Sequence, residues 1–110
     1  MSLRFNEFAR KMHEIAIEKG WWSEERRFGE LIALMHSELS EALEEARNGK
    51  SPQTIYFEGE KPKGIPIEFA DLIIRLADVC GRLGIDMDEA IQLKVEYNKK
   101  RPYRHGGKRL

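Results

Sequence analysis

The stretch that decides the fold is PIEFADLIIRLADVCGR, residues 66–82. Pro66 suits the first turn of a helix, and Gly84 follows at a position where helices commonly end. Apolar side chains occupy most of the circumference of this predicted helix, which is typical of a helix buried in a protein core. The stretch therefore predicts a central helix against which the other segments pack.

Acidic residues follow one strip of this central helix. Glu68, Asp71 and Asp78 are spaced i, i+3 and i+10. At about 3.6 residues per turn, Asp71 and Asp78 differ by only about 20° in azimuth. Burying a carboxylate is costly unless it is paired or bound to a metal ion. The strip is therefore expected to face either open solvent or cations.

Two helices are predicted before the central one. Residues 3–19 carry apolar side chains near helical spacing, and Gly20 follows as a suitable stop. Residues 24–47 carry a broad apolar face, with Ser23 as the predicted N-cap. The second of these helices also carries glutamates along a separate strip, which gives the chain two acidic strips.

The rest of the chain predicts an irregular connection and a last helix. Residues 48–65 contain Gly and Pro that exclude a long helix, and residues 55–57 predict a short extended piece or a lid whose role stays open. Asp86, with Glu89 three residues later, predicts the start of the last helix. Residues 1–110 thus predict one domain of the all-α class, an antiparallel four-to-five-helix bundle.

Composition restricts the possible partners. The chain has 19 basic and 19 acidic residues, so no global field favours a nucleic acid or a membrane as partner. The charge is uneven, because a basic tail is predicted at 98–110. No apolar run approaches the roughly 20 residues of a membrane span, no signal peptide is visible, and Cys80 is the sole cysteine. These features predict a cytoplasmic protein.

The two acidic pairs are the candidate site. Glu38 and Glu41 lie on one face of the second helix, and Glu68 and Asp71 lie on one face of the third. If these faces meet, four carboxylates converge, and two like charges at 4 Å repel by about 4 kcal/mol at an effective dielectric of 20. Divalent cations would remove this conflict, and an all-oxygen ligand set suits Mg²⁺, with Mn²⁺ as a substitute.

The same chain offers candidate substrate contacts. Mg²⁺ held by few carboxylates usually shares phosphate oxygens with a substrate. Lys94, Asn98 and Arg101 form a mostly cationic stripe on the last helix that is suited to phosphates. Of the adjacent Trp21 and Trp22, one is expected to pack and the other to stack on a flat ligand, and Trp22 is the candidate for stacking. The pattern predicts water attack on a nucleotide polyphosphate, with a carboxylate orienting or deprotonating the water.

Three stretches resemble the MazG-like all-α nucleoside triphosphate pyrophosphohydrolases. They are the pattern Glu38-x-x-Glu41 with Glu68-x-x-Asp71, the segment LMHSELSEALEE at 34–45, and the ending YNKKRPYRHGGK at 97–108. The resemblance covers nearly the whole chain, from about residue 5 to residue 108.

The resemblance implies an activity and a site. The activity is Mg²⁺-dependent cleavage of a (deoxy)nucleoside triphosphate to its monophosphate and pyrophosphate, as house-cleaning of the nucleotide pool. It implies four metal ligands, Glu38, Glu41, Glu68 and Asp71, with Glu38 or Glu41 also activating water. Lys94, Asn98 and Arg101 match the family's phosphate-side residues. The family's bundles form homodimers or homotetramers, so the resemblance implies that this chain oligomerises through helix faces.

Two alternatives stay open at this point. One is phosphoribosyl-ATP pyrophosphohydrolase, a relative with the same chemistry on another nucleotide. The other is a non-catalytic helical module that binds a nucleotide or a partner, with the acidic strip as a solvated or docking face.

Overall fold

In the computed structural model, which describes residues 4–102, the predicted central helix packs against two others. The elements in chain order are α1 (Phe5–Glu18), α2 (Phe28–Arg47), β1 (Tyr56–Glu58), β2 (Lys61–Lys63), α3 (Ile65–Leu83) and α4 (Met87–Lys99). The described part of the chain is thus mostly helical, as predicted, and α3 contacts both α1 and α2. Residue 3 of the predicted first helix and residues 103–110 of the predicted basic tail lie outside the described residues.

Small residues set the distance between α1 and α3. Ala9, Ala77 and Cys80 form the buried centre of the contact, and larger apolar side chains surround them. Gly81 continues this surface, because a Cβ atom built on it would lie 2.8 Å from the carbonyl oxygen of Ala9 and 2.9 Å from the Cβ of His13. The two helices therefore approach more closely than a pair of ordinary side chains would allow.

Reciprocal caps join the start of α4 to the start of α1. The Asp88 carboxylate accepts hydrogen bonds from the backbone N–H groups of Phe5 (2.7 Å) and Asn6 (3.2 Å). The Asn6 side-chain oxygen accepts in return from Met87 N–H (2.9 Å) and Asp88 N–H (3.3 Å). Free N–H groups at a helix start need such acceptors. The α4 helix is thus held at its first turn, although none of its residues is buried.

The predicted caps are partly confirmed. Asp86 accepts a hydrogen bond from Glu89 N–H at 3.0 Å, and Gly84 ends α3 in the left-handed conformation (φ 67°). The predicted start of the second helix at Ser23 is wrong, because α2 begins at Phe28. The Ser23 hydroxyl instead donates to the carbonyl of Gly20 (2.8 Å) and closes a turn.

The tertiary structure decides two further predictions. The short extended piece expected at 55–57 is confirmed as β1, which forms an antiparallel hairpin with β2 in which Tyr56 pairs with Lys63. The expected burial of the central helix on all sides is wrong for the described chain, since Phe69 and Ile73 are exposed to 47% and 48%. The α1 and α2 helices cover other sides of α3 and leave this face open.

Within residues 4–102 no helix has both the length and the apolar character needed to cross a membrane.

We expect Gly81→Ala to destabilise the fold. The added methyl group would press on the Ala9 carbonyl, and overpacking of this kind costs about 1–3 kcal/mol. Gly29→Ala is the matched control, because a Cβ there has no neighbour within 4 Å and alanine favours a helix by up to about 1 kcal/mol. Urea unfolding followed by circular dichroism measures the free energy of unfolding of both variants and of the wild type. Equal stability of the Gly81 variant and the wild type would contradict the close approach of α1 and α3.

Candidate metal centre and adjoining cleft

Three of the four predicted ligands meet between α2 and α3. One carboxylate oxygen from each of Glu38, Glu41 and Glu68 lies within 4.8 Å of the other two. Glu38 is buried, Glu68 is half-buried and Glu41 is exposed. The cluster is thus open to solvent on the side of Glu41 and closed on the side of Glu38. One acidic pair and the first residue of the other, which are separate in sequence, therefore converge on one place.

Arg75 balances part of this charge. Its Nε donates to Glu38 Oε1 at 2.6 Å, and the side chain of Glu38 is only 6% exposed. Charge-assisted hydrogen bonds of this kind are roughly twice as strong as neutral ones. Arg75 lies on α3 four residues after Asp71 and three before Asp78, so these three charged side chains share one face of the helix.

The negative charge that Arg75 does not balance is concentrated at Glu68. Burial raises the pKa of Glu68 to about 7, and its contact with Glu41 and the charges of Asp71 and Glu38 act in the same direction. Its Oε2 atom is buried and has no hydrogen-bond partner among the described residues. A divalent cation would satisfy this oxygen and relieve the repulsion, and the all-carboxylate donor set suits Mg²⁺ or Mn²⁺. The residues present therefore fit such an ion.

Asp71 is placed at the edge of the cluster. It does not belong to the group of mutually close oxygens, although its charge reaches Glu68. It lines instead a cleft of about 350 Å³ that begins at Glu38. The other residues lining this cleft are Met12, Ile15, Ala16, Lys19, Trp21, Ile74, Arg75 and Asp78. The cleft thus joins the carboxylates to a largely apolar wall with one indole.

Asp78 holds the second indole in place. Trp22 Nε1 donates to both carboxylate oxygens of Asp78 (2.9 and 3.1 Å), and His13 Nδ1 lies 2.8 Å from one of them. The rings of Trp22 and His13 meet edge to face, with centroids 5.7 Å apart. Trp22 therefore packs against α3 and does not line the cleft, whereas Trp21 lines it.

The predicted phosphate contacts lie apart from this cleft. Lys94, Asn98 and Arg101 are on or just after α4, which packs against α1. None of the three lines the cleft, and Lys94 and Arg101 lie over the ring of Tyr97, at 5.0 and 5.6 Å from its centroid. Within the described part of one chain, the structure does not bring this stripe to the carboxylates.

Comparison of the chain with protein-family models, with curated proteins and with solved structures finds no match. The site is therefore interpreted from its own residues. Two of these, Arg75 and Trp21, were missed as site residues from the sequence. A signal for Arg75 was present, because it is a cation in the middle of an apolar stretch, with Asp71 and Asp78 about one turn away on either side.

We expect the metal-free protein to lose stability as the pH rises from about 4.5 to about 7. The folded state keeps a proton on Glu68 in this window, whereas an unfolded glutamate has lost it, so the folded state is favoured at the lower pH. Because solvent screens a side chain that is only half-buried, the loss should be on the order of 1 kcal/mol. Urea unfolding at several pH values in EDTA measures this slope.

Glu68→Gln should remove most of that slope, because glutamine does not titrate. Glu44→Gln, at an exposed position of the neighbouring α2 helix, should leave it unchanged. A slope that persists in the Glu68 variant would assign the pH dependence to other groups.

Proposed function

We propose that this protein is a Mg²⁺-dependent nucleotide pyrophosphohydrolase of the MazG-like class, which cleaves a (deoxy)nucleoside triphosphate to its monophosphate and pyrophosphate. The observation that carries the proposal is the cluster of Glu38, Glu41 and Glu68 with its buried, unpartnered Glu68 oxygen. The adjoining cleft of about 350 Å³ falls in the size range of small-molecule sites. Its mix of an indole, an apolar wall and cations suits a nucleotide.

Four side chains would hold the cation. They are Glu38, Glu41, Glu68 and Asp71, which together offer carboxylate oxygens from both α2 and α3. Mg²⁺, or Mn²⁺ in its place, would supply neutralisation of the charge that develops on the phosphate oxygens. The positive charge would also keep Glu68 ionised, because an opposite charge lowers a carboxyl pKa.

Glu41 is the better candidate for the proton acceptor. Glu38 is buried and already bound by Arg75, whereas Glu41 is exposed and so reaches water. In the proposed reaction the water oxygen attacks the α-phosphorus and Glu41 accepts a proton from that water. The bond from the α-phosphorus to the bridging oxygen then breaks, and pyrophosphate leaves with the electron pair. Glu38 acts as a metal ligand, and Arg75 donates a hydrogen bond to one of its oxygens.

We expect purified protein with Mg²⁺ to release pyrophosphate, and no single phosphate, from at least one member of a panel of dNTPs, NTPs and phosphoribosyl-ATP. Glu41→Gln and Glu68→Gln should each lower the rate at least about 100-fold, in the range of general-base and ligand losses. Glu44→Gln, at an exposed position of the α2 helix that also carries Glu41, is the control and should retain activity. Phosphorus NMR identifies the bond that is cut.

The preferred substrate in this panel separates house-cleaning from phosphoribosyl-ATP hydrolysis. No product from any substrate, with the Glu41 and Glu68 variants binding nucleotide like the wild type, would favour a non-catalytic binding module instead.

We also propose that a second copy of the chain covers the open face of α2 and α3. Large apolar side chains are exposed there, and a groove joins the two helices between Ile32, Leu39 and Leu72. The exposed members are Phe28 (60%), Ile32 (36%), Leu39 (46%), Leu43 (55%), Phe69 (47%) and Ile73 (48%). Extensive apolar patches of this kind mark interaction surfaces. The proposal assigns Lys94, Asn98 and Arg101 to the site of a neighbouring copy, because α4 does not line the cleft of its own chain.

Light scattering coupled to size exclusion should give a dimer or a tetramer for the wild type. Leu39→Lys should shift the mass to that of a monomer, because a buried lysine would be unpaired at the apolar contact. Ile17→Lys, at a 50% exposed position of α1 outside this face, should leave the mass unchanged. A monomeric wild type would refute self-association through this face.

A further inference from the structure

Arg75 joins the carboxylate cluster to the cleft. Its Nε is bound to Glu38, and its guanidinium carbon lies 4.7 Å from the centroid of the Trp21 ring. The side chain is 32% exposed and lines the cleft. A guanidinium held on one edge by a carboxylate and on its face by an indole has few orientations left.

The remaining donors of Arg75 are available to a ligand. Arginine carries five N–H donors in a planar fork, and within residues 4–102 only the Nε donor has an acceptor. Among the described residues, neither Nη group of Arg75 makes a hydrogen bond. A planar pair of donors fixed in this way matches the spacing of two phosphate oxygens.

The negative charge of the cleft means that a phosphate group can bind there only beside a cation. Three carboxylates line it, those of Glu38, Asp71 and Asp78, and its cations are Lys19 and Arg75. A triphosphate approaching this cleft is repelled by the carboxylates until cations compensate them. Lys19 is exposed at the end of α1, whereas Arg75 lies beside the cluster itself.

We propose that Arg75 is the phosphate-binding residue of the cleft. Glu38 and Trp21 fix its guanidinium, and its Nη groups bind non-bridging phosphate oxygens of a nucleoside triphosphate next to the carboxylate cluster. The inference rests on the proposed function and adds to it an anion subsite on α3. It also gives Glu38 a second task, because the same carboxylate that serves the cation site anchors Arg75.

Isothermal titration with the α,β-imido analogues of dATP, dCTP, dGTP and dTTP in the presence of Mg²⁺ tests this subsite. For the analogue that the wild type binds most tightly, Arg75→Gln should raise Kd at least about 10-fold, as expected for lost charge-assisted hydrogen bonds. The Kd of Arg75→Lys should lie between those of the wild type and Arg75→Gln, because lysine keeps the positive charge but lacks the planar set of donors. Arg82→Gln, an exposed arginine over Trp22 on the same helix, should stay within about threefold of the wild type.

A second titration separates phosphate binding from orientation of Glu38. With Mn²⁺ alone, Arg75→Gln should bind as tightly as the wild type or more tightly, because a cation that competes for Glu38 has been removed. If Arg75 served only to orient Glu38, the affinities for Mn²⁺ and for the analogue would fall together, which would overturn the inference. Circular dichroism verifies that each variant is folded. If Arg75→Gln is unfolded, the same two titrations are made with Arg75→Lys.

Failure of this inference is distinguishable from failure of the proposed function. Wild-type hydrolysis together with unchanged analogue binding in both Arg75 variants would overturn the Arg75 subsite and leave the hydrolase. Analogue binding that depends on Arg75, without hydrolysis of any substrate, would overturn the hydrolase and support the subsite. A wild type that binds none of the four analogues would overturn the subsite, and one that also hydrolyses no substrate of the panel would overturn both.

Discussion

Repulsion among the carboxylates between α2 and α3 is the constraint on which the rest of the structure depends. Two full charges 4.8 Å apart repel by about 3–4 kcal/mol at an effective dielectric of 20. The chain offsets this cost in two ways, through the hydrogen bond from Arg75 to Glu38 and through the raised pKa of Glu68. Neither satisfies the buried oxygen of Glu68, and a bound cation would balance the charge that remains.

The surrounding elements hold this pair of helices in position. Small residues bring α1 close to the C-terminal half of α3, and Asp78 ties Trp22 and His13 to the same helix. At the other end, the hydroxyl of Tyr56 in the hairpin donates to Glu45 on α2 at 2.8 Å. The α1–α2 connection and the hairpin thus support the two flanks of the site, and the cleft is the space left between α1, α2 and α3.

The open face of α3 shows how far a hydrophobic pattern can be interpreted. Periodicity indicates that apolar surface will be removed from water, but it does not indicate which chain removes it. The central helix is apolar nearly all round, yet α1 and α2 cover only part of it, and Phe69 and Ile73 stay exposed. The pattern therefore agrees with burial in an assembly as well as with burial in a single chain.

Local chemistry allowed the sequence alone to determine the helices, the Asp86 cap, the Gly84 stop and the two acidic pairs. Each of these depends on residues within one or two turns of one another, so spacing and propensity are sufficient. The tertiary structure alone decided which indole lines the cleft, where α2 begins, and that Arg75 reaches Glu38 across 37 positions of the chain. Those outcomes depend on how helices that are distant in sequence pack together, and no local pattern encodes the rotation of one helix against another.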